Sequence, residues 1–329
     1  MRHWRILCLL VLSVGWRANG ALAIDQSVGY PNRPVRLIVP YPPGASVDFT
    51  AREVASKLSQ MWGQSVVIDN RSGAGSTLGH GMGAKAPADG YTLLLGTSAG
   101  LVVSPALGVK LSYDPLKDFA CVGQAVSAPF GLTLHTSVAA KTVKEFIELA
   151  KLNPHKYNYG SPGNGTPNHL GGELLKALAG IDIVHVPYKG GGPALTDLLS
   201  GQLQLMFAGL PQTLPHVKGG RLKMLAVGHP TRTRAAPDYP TVAETVPGFN
   251  NSTWYGLLAP AGTPFDIVHK INRDLNRAVS SEDFEARVLA QGIEPSGSTE
   301  QAMHEKIRTE TLRWRKVMQA AGIAAESAL

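Results

Sequence analysis

Cysteine is scarce in this sequence, which has only Cys8 and Cys121 among its 329 residues. Cys8 lies in an N-terminal segment that we expect to be removed, so the mature chain should form no intramolecular disulfide. Stability must therefore come from packing. The roughly 300 residues that remain are enough for two domains of ordinary size, each with its own core.

Other absences exclude whole classes of protein. After the N-terminal segment, no stretch approaches the roughly 20 apolar residues that a membrane span needs. The histidines lack the paired spacing of a metal site, so we expect no bound metal, and the acidic residues form no close pair suited to acid and base catalysis. Lysine and arginine are scattered without interleaved aromatic residues, which argues against a nucleic-acid partner.

The first 23 residues have the order of a secretory signal peptide. Arg2 and Arg5 precede an apolar run at 6–14, and Ala21-Leu22-Ala23 supplies a cleavage motif of the A-x-A kind. A short membrane anchor is the alternative, but Trp16-Arg17 interrupts the run. We therefore expect an exported protein that is cleaved near Ala23.

The composition carries a mild positive charge. The formal charge is +7, and removal of the first 23 residues, with three arginines and no acidic residue, leaves about +4. Net charge affects steering and solubility more than it selects one partner. An anionic small ligand is therefore compatible with the composition but is not required by it.

Short apolar runs alternate with amphipathic helical stretches from Val35 onward, which predicts βα units and a largely parallel sheet. Strands are predicted at 35–39, 65–69, 92–95, 183–186, 203–207, 223–227 and 256–258. Helices are predicted at 47–61, from Thr263 onward with Thr263 as the cap, and at 300–321. The last two helices should bury the stripes Ile267, Ile271, Leu275, Ala278 and Met303, Ile307, Trp314, Met318.

Four loops rich in glycine, proline or small residues follow predicted strands or open predicted helices. They lie at 42–46, 96–99, 161–166 and 189–192. In open α/β sheets a ligand lies beyond the carboxyl ends of the strands, so these loops should meet in one cleft. Exposed amides at helix starts favour an anion. For any single loop, however, simple capping by Ser46 or Thr166 explains the hydroxyl as well.

An enzymatic alternative comes from Gly96-Thr97-Ser98-Ala99-Gly100, which matches the nucleophile elbow of α/β-hydrolases. It would make the chain a secreted serine hydrolase with Ser98 as the nucleophile. The downstream histidines lie in no recognisable triad setting, and 36 glycines make such a match easy to find. We therefore expect no enzymatic activity. A cell-envelope interaction protein without a small ligand is a third possibility.

A second weak pattern lies at 73–79, where glycines resemble a dinucleotide-binding loop. No acidic residue ends the next predicted strand, so the contact with the ribose that such a site needs is missing. We expect no cofactor.

Motifs along the chain resemble one known family. Pro40-Tyr41-Pro42-Pro43-Gly44 follows the first predicted strand, Asp69-Asn70-Arg71-Ser72-Gly73 follows the second, and His185-Val186-Pro187-Tyr188-Lys189-Gly190 comes later. Their sequence and spacing resemble the Bug-type receptors of tripartite tricarboxylate transporters. The likeness extends over essentially the whole mature chain.

The resemblance implies an α/β fold of the two-lobed periplasmic binding protein type, a type II flytrap with a mostly parallel sheet flanked by helices in each lobe. Residues 24–124 and 246–329 would form lobe 1, and residues 125–245 would form lobe 2. The protein would be a periplasmic receptor without enzymatic activity. It would take a small organic acid and deliver it to the membrane subunits of a tripartite tricarboxylate transporter. We further expect a monomer.

Members of the family hold a ligand carboxylate chiefly with main-chain amides, small hydroxyls and bridging waters. Carried over by position, the contacts from lobe 1 are Tyr41, Gly44, Ala45, Ser46, Thr97 and Ser98. The contacts from lobe 2 are Ser161, Gly165, Thr166, Tyr188 and Ala208.

Two positions depart from the family pattern. Ala208 stands where many relatives have an aspartate that can pair with a ligand ammonium group, so we expect that amino acids are not the ligand. Val47 stands where a hydroxyl residue is common. This edge of the pocket should therefore be more apolar and suit a ligand with an apolar or aromatic part.

Overall fold

The structure is a computed structural model that describes residues 27–323. The predicted signal peptide and its cleavage point near Ala23 lie outside the described residues. None of the described helices is long and apolar enough to cross a membrane.

Strands and helices alternate over most of the chain. The strands are β1 Val35–Val39, β2 Val66–Asn70, β3 Thr92–Thr97, β4 Phe119–His135, β5 Asn158–Ser161, β6 Val184–Pro187, β7 Leu205–Gly209, β8 Leu222–Val227, β9 Ser252–Pro260 and β10 Glu294–Pro295. The α-helices are α1 Ser46–Trp62, α2 Thr77–Ala84, α3 Ser104–Ala106, α4 Val143–Leu152, α5 Pro167–Ala179, α6 Gly191–Ser200, α7 Leu210–Lys218, α8 Phe265–Val279, α9 Glu282–Ala290 and α10 Glu300–Ala320.

The strands follow the path β2-β1-β3-β9-β4-β7-β5-β6, and β8 and β10 also pair with β4. The outer strands are parallel: β1 pairs with β2 and β3, and β5 pairs with β6 and β7. The central strands β4 and β9 are antiparallel to each other and to their neighbours. The result is a mixed sheet with a parallel group at each end, which gives the two-lobed α/β architecture that the family resemblance implies. The antiparallel centre differs from the largely parallel sheet that the alternation of elements predicts.

Strand β4 joins the two ends of the sheet. It pairs with β9 from Phe119 to Pro129, and from Phe130 onward it pairs with β7 and β8. Strand β4 was not predicted from the sequence, because its residues show no alternation of polar and apolar side chains. Most of its residues are buried, and a strand covered on both faces has no alternation to show.

The close contact between β4 and β9 depends on a glycine. A Cβ atom on Gly256 would lie 2.7 Å from the carbonyl oxygen of Gly123 and 2.7 Å from the Cε of Met303. Any side chain at Gly256 would therefore push β9 away from β4 or from α10.

The helices bury the stripes that their periodicity predicts. All four stripe residues of α8 and all four of α10 are buried. The predicted cap of α8 is wrong: the helix begins after Pro264, and the Thr263 hydroxyl instead donates to the carbonyl oxygen of Pro260 at 2.8 Å. Pro264 itself takes the cap position, and its ring has no oxygen that could accept from the amides of the first turn.

The stripe of α10 belongs to a core shared by both ends of the sheet. Trp314 and Met318 lie in the same buried cluster as Leu170 of α5 and Phe207 of β7. The C-terminal helix therefore packs on both sides of the β4 crossing.

A pair of substitutions on the adjacent strands β1 and β2 tests the burial of β1. Leu37 is fully buried, whereas Val67 on the adjacent strand β2 is 52% exposed. We expect Leu37→Ala to lower the free energy of unfolding by about 2–5 kcal/mol because it leaves a cavity. Val67→Ala should change it by no more than about 0.5 kcal/mol. Denaturant unfolding measures both, and equal losses would contradict the burial of β1.

Candidate binding cleft

Two neighbouring cavities open between the parallel groups of strands, on the side where β1, β3, β5 and β7 end. The β4 cavity, of about 260 Å³, is lined by Ser46, Ala128, Pro129, Phe130, Pro162, Asn168, Gly191, Gly209, Leu210, Pro211, Gln212, Thr253, Tyr255, Gln291, Gly292 and Ile293. The α3 cavity, of about 220 Å³, is lined by Tyr41, Ala74, Gly75, Thr77, Ala99, Val103, Ser104, Leu107, Val109, Asn164, Gly165, Thr166 and Pro167.

The structure brings together four of the residues predicted to contact a ligand. Ser46 lines the β4 cavity, and Tyr41, Gly165 and Thr166 line the α3 cavity. Tyr41 and Ser46 follow β1, whereas Gly165 and Thr166 follow β5. Loops from both ends of the sheet thus face one cleft.

The other predicted contacts lie beside or behind the cleft. Thr97, Ser98, Ser161 and Ala208 are buried. Gly44, Ala45 and Tyr188 are at least partly exposed but are not among the lining residues. The Tyr188 hydroxyl donates to Asp197 Oδ2 at 2.7 Å, and burial raises its pKa to about 12.

Several parts of the cavity wall were not predicted from the sequence, among them two segments of the chain. Residues 209–212, at the start of α7, and residues 291–293, after α9, both line the β4 cavity. The glycine and proline after β7 could have indicated from the sequence that the first segment lies at the cleft. The second segment carries no local signal, because only the pairing of β10 with β4 brings it to the cleft.

The loop after β1 is held by a buried carboxylate. Asp48 is 3% exposed, and its oxygens accept hydrogen bonds from the Gly44 amide at 3.0 Å, from Asn70 at 2.9 Å and from Arg52 at 2.9 Å. Asn70 also donates to the carbonyl oxygen of Tyr41 at 2.9 Å. Asp48 and Asn70 thereby fix the backbone between Tyr41 and Ser46.

The charge of Asp48 is maintained by these partners. Burial alone raises the pKa of the carboxyl group, but the hydrogen bonds from Arg52, Gly44 and Asn70 and the charge of Arg52 outweigh it and lower the pKa. Asp48 is therefore ionised at neutral pH and acts only as an acceptor.

A neutral histidine supports the loop after β3. The Thr97 amide donates to Nε2 of His80 at 3.2 Å, and the other ring nitrogen, Nδ1, lies 2.8 Å from the carbonyl oxygen of Ser76. Burial lowers the pKa of His80 to about 4. The ring is thus neutral, with its proton on Nδ1, and it joins the loop after β3 to the start of α2.

Ser98 does not have the surroundings of a nucleophile. Its hydroxyl oxygen lies 2.7 Å from Thr253 Oγ1 and accepts a longer hydrogen bond from the Trp254 amide at 3.5 Å. Both partners are on β9, and neither is a general base. The geometry around this residue therefore does not support the hydrolase alternative, and the hydroxyl joins the loop after β3 to β9.

Histidines also lie behind the loop after β5. The hydroxyl of Ser161 is 2.7 Å from His185 Nε2, and the Gly165 amide donates to His169 Nδ1 at 3.0 Å. Thr166 caps α5 by accepting from the His169 amide at 3.4 Å. Ser161 is fully buried, so its side chain holds this loop rather than facing the cavities.

The cleft has no charged side chain among the described residues that line it. Three helices instead begin at the β4 cavity: α1 at Ser46, α6 at Gly191 and α7 at Leu210. None of the three has a side-chain cap. Prolines in the first turns of α6 and α7 carry no N–H, but the remaining first-turn amides and the helix dipoles favour an anion there.

The two-lobed α/β fold and a neutral cleft lined by helix starts define a solute-binding protein. The family model described as "Tripartite tricarboxylate transporter family receptor" matches residues 50–323. The chain belongs to this family of receptors, as the motif resemblance predicts.

Individual relatives are similar to this chain over nearly its full length. The chain is 35% identical to BugT of Bordetella pertussis, across 95% of this chain and 97% of BugT. An R. palustris protein solved with adipate is 36% identical, with a TM-score of 0.74 over 90% of this chain and 99% of that chain. MatC from Rhodopseudomonas palustris, solved with bound malate, is 31% identical, with a TM-score of 0.69 over 88% of this chain and 99% of MatC. These likenesses confirm the Bug-type identification and the fold.

A substitution at Asp48 tests whether its carboxylate holds the loop after β1. We expect Asp48→Asn to lower the free energy of unfolding by about 1–3 kcal/mol at neutral pH, because the buried donors lose a charged acceptor. The lowered pKa means that this stabilisation is lost as the pH falls from the ordinary value near 3.8 through the lower folded-state value. The difference between variant and wild type should therefore shrink in acid.

The control for this measurement is Asp238→Asn, which removes an exposed carboxylate. Thermal or denaturant unfolding at pH 7 and below pH 4 compares the two variants with the wild type. Equal effects of the two substitutions would mean that Asp48 does not hold the loop.

Proposed function

We propose that this protein is a periplasmic receptor that captures a small dicarboxylate between its two lobes and passes it to the membrane subunits of a tripartite tricarboxylate transporter. The observation that carries the proposal is the cleft itself, which is neutral and lined by three uncapped helix starts. Such a surface binds a carboxylate through main-chain amides and hydroxyls.

The chemistry of the wall supports the choice of a dicarboxylate. No acidic side chain among the described lining residues is available to pair with an ammonium group, which disfavours amino acids. Phe130, Leu210 and Ile293 form an apolar part of the β4 cavity, which suits a methylene chain between two carboxylates. Adipate and malate, found in two related structures, are both dicarboxylates.

Capture needs no chemical step. The ligand would bind the loops of one lobe, and rotation about the crossing strands would bring the loops of the other lobe onto it. We place lobe 1 at 24–124 with 246–329 and lobe 2 at 125–245. The change of pairing partners along β4 at Phe130 supports a crossing in this region.

We also propose that the protein is exported to the periplasm with removal of its signal peptide. The basic, apolar and small-residue order of the first 23 residues supports export and cleavage near Ala23. We propose that the mature receptor works as a monomer. Its contacts with a ligand would come from Tyr41, Ser46, Gly165 and Thr166, which line the cavities, and from Gly44, Ala45 and Tyr188 beside them. The side chains of Thr97, Ser98, Ser161 and Ala208 are buried, so these residues would contribute through their backbone.

A thermal-shift screen tests the ligand class. The mature protein is unfolded and refolded to strip any bound ligand, and is then heated with dicarboxylates, tricarboxylates, aromatic monocarboxylates and amino acids. A ligand at about 100 times its dissociation constant adds roughly 2.7 kcal/mol to the stability. We expect this shift with dicarboxylates of four to six carbons. Stabilisation by aspartate or glutamate alone would contradict the proposal.

A substitution at the cleft mouth tests the location. Ser46 is exposed at the start of α1 and lines the β4 cavity, so Ser46→Tyr should fill the cavity without disturbing the core. We expect at least about a tenfold loss of affinity, equivalent to about 1.4 kcal/mol, for the dicarboxylate with the largest shift. Ser56→Tyr, at an exposed position further along α1, is the matched control. Calorimetric titration that gives equal affinities for both variants would remove the β4 cavity from the site.

A further inference from the structure

The loop at 161–166 contributes to both cavities, and a pair of histidine rings lies behind it. Pro162 lines the β4 cavity, whereas residues 164–166 line the α3 cavity. The rings of His169 on α5 and His185 on β6 stack with their centroids 3.8 Å apart and their planes 21° from parallel. Neither ring is among the described lining residues, so any effect on a ligand must pass through the loop.

The protonation state of His169 follows from its partner. A backbone N–H can only donate, so the 3.0 Å contact from the Gly165 amide to His169 Nδ1 requires an unprotonated Nδ1. The imidazole is therefore neutral, with its proton on Nε2. A proton on Nδ1 would face the Gly165 N–H directly and break this contact.

The proton on His185 follows from the hydroxyl between the ring and the loop. The Gly163 amide donates to Ser161 Oγ at 3.1 Å, and the Gly163 carbonyl oxygen lies 2.9 Å from the same Oγ. The carbonyl can only accept, so the single hydroxyl proton is used there. With the hydroxyl proton directed to Gly163, which also accepts from the Thr166 hydroxyl at 2.8 Å, His185 Nε2, 2.7 Å from Oγ, is the donor to Ser161.

The surroundings keep both rings neutral. Tyr159 on β5 lies 4.9 Å from the ring of His185 and donates its hydroxyl proton to Glu173 at 2.6 Å. Glu173 also accepts from Lys176 at 3.1 Å. Burial lowers the pKa of His169; Glu173 opposes this shift and Lys176 adds to it. Burial, with smaller contributions from His169 and Lys176, lowers the pKa of His185 to about 3.

We propose that His169 and His185 are positioning residues for the ligand: the stacked neutral pair holds the loop at 161–166 with its backbone facing the two cavities. This inference rests on the proposed function. A loop that is already ordered does not have to be ordered when the ligand binds, so the affinity is higher than with a mobile loop.

Paired substitutions test the proposal. His169→Asn keeps an acceptor near the position of Nδ1, whereas His169→Leu leaves the Gly165 amide without one. We expect the Leu variant to bind about tenfold more weakly and the Asn variant to stay within about threefold of the wild type. His185→Gln, which keeps the donor to Ser161, and His185→Leu form the second pair. The probe is the dicarboxylate that gives the largest thermal shift on the wild type, titrated by calorimetry.

A measurement without ligand tests the geometry independently. Nitrogen-15 spectra of the wild type, labelled on histidine and glycine, report the ring tautomers and the amides of Gly163 and Gly165. We expect protons on Nε2 of both rings at neutral pH. On acidification, the Gly165 amide should shift with the same midpoint as the His169 ring, because protonation of Nδ1 removes its acceptor. Separate midpoints for the two groups would show that the Gly165 amide does not donate to His169.

The outcomes separate the two proposals. If the wild type binds a dicarboxylate and the Leu variants bind as tightly, the positioning role is overturned and the receptor function stands. If the wild type binds no acid, the receptor function fails, and the spectra still decide the loop geometry. A proton on His169 Nδ1 at neutral pH overturns the inference. A tenfold loss of affinity in His169→Asn also overturns it. This variant can be measured even if the Leu variants fail to fold.

Discussion

The antiparallel pairing of β4 with β9 is the contact on which the rest of the molecule depends. Residues Phe119 to Pro129 of β4 lie along β9 from Pro260 back to Ser252. One parallel group of strands attaches to β9 through β3, and the other attaches to β4 through β7. The same two strands supply the wall of the β4 cavity at Phe130, Thr253 and Tyr255. The cleft therefore lies where β4 and β9 pass from one parallel group of strands to the other.

A second constraint on the cleft is a set of polar side chains that lie behind its loops and hold them by hydrogen bonds. Among the described residues, no charged side chain and no histidine lines the cavities; a carboxylate and three histidines lie one layer deeper and hold the loops. Asp48 fixes the loop after β1, His80 fixes the loop after β3, and His169 with His185 fixes the loop after β5. Their hydrogen-bonding groups are used within the protein, on the backbone of the loops and on neighbouring side chains. What remains for a ligand is a neutral surface of amides, small hydroxyls and apolar side chains, in which the helix dipoles supply the positive potential.

The sequence predicted the parts of this structure that local patterns encode. The parallel strands such as β1, the stripes of α8 and α10, and the facing loops of Tyr41, Ser46 and Thr166 follow from periodicity and from glycine-rich loops after strands. It did not predict β4, which is buried along most of its length and has no alternation. Nor could it predict that the side chains of Thr97, Ser98 and Ser161 turn inward, since that depends on partners distant in the chain. The segment 291–293 reaches the cleft only through tertiary pairing, and no window of sequence contains that information.

The proposed use of backbone donors in the cleft has a consequence for how such a receptor diverges. A substitution can remove a side chain, but the peptide N–H at that position persists unless proline replaces the residue. Substitutions at Leu210 or Ile293 would reshape the apolar wall while the helix starts at Ser46, Gly191 and Leu210 keep their amides. In the proposed receptor, substitutions can therefore change which acid fits while the amides that would hold a carboxylate stay in place. Paralogous copies of one gene could thus acquire separate substrates in few steps, each intermediate still competent to bind an anion.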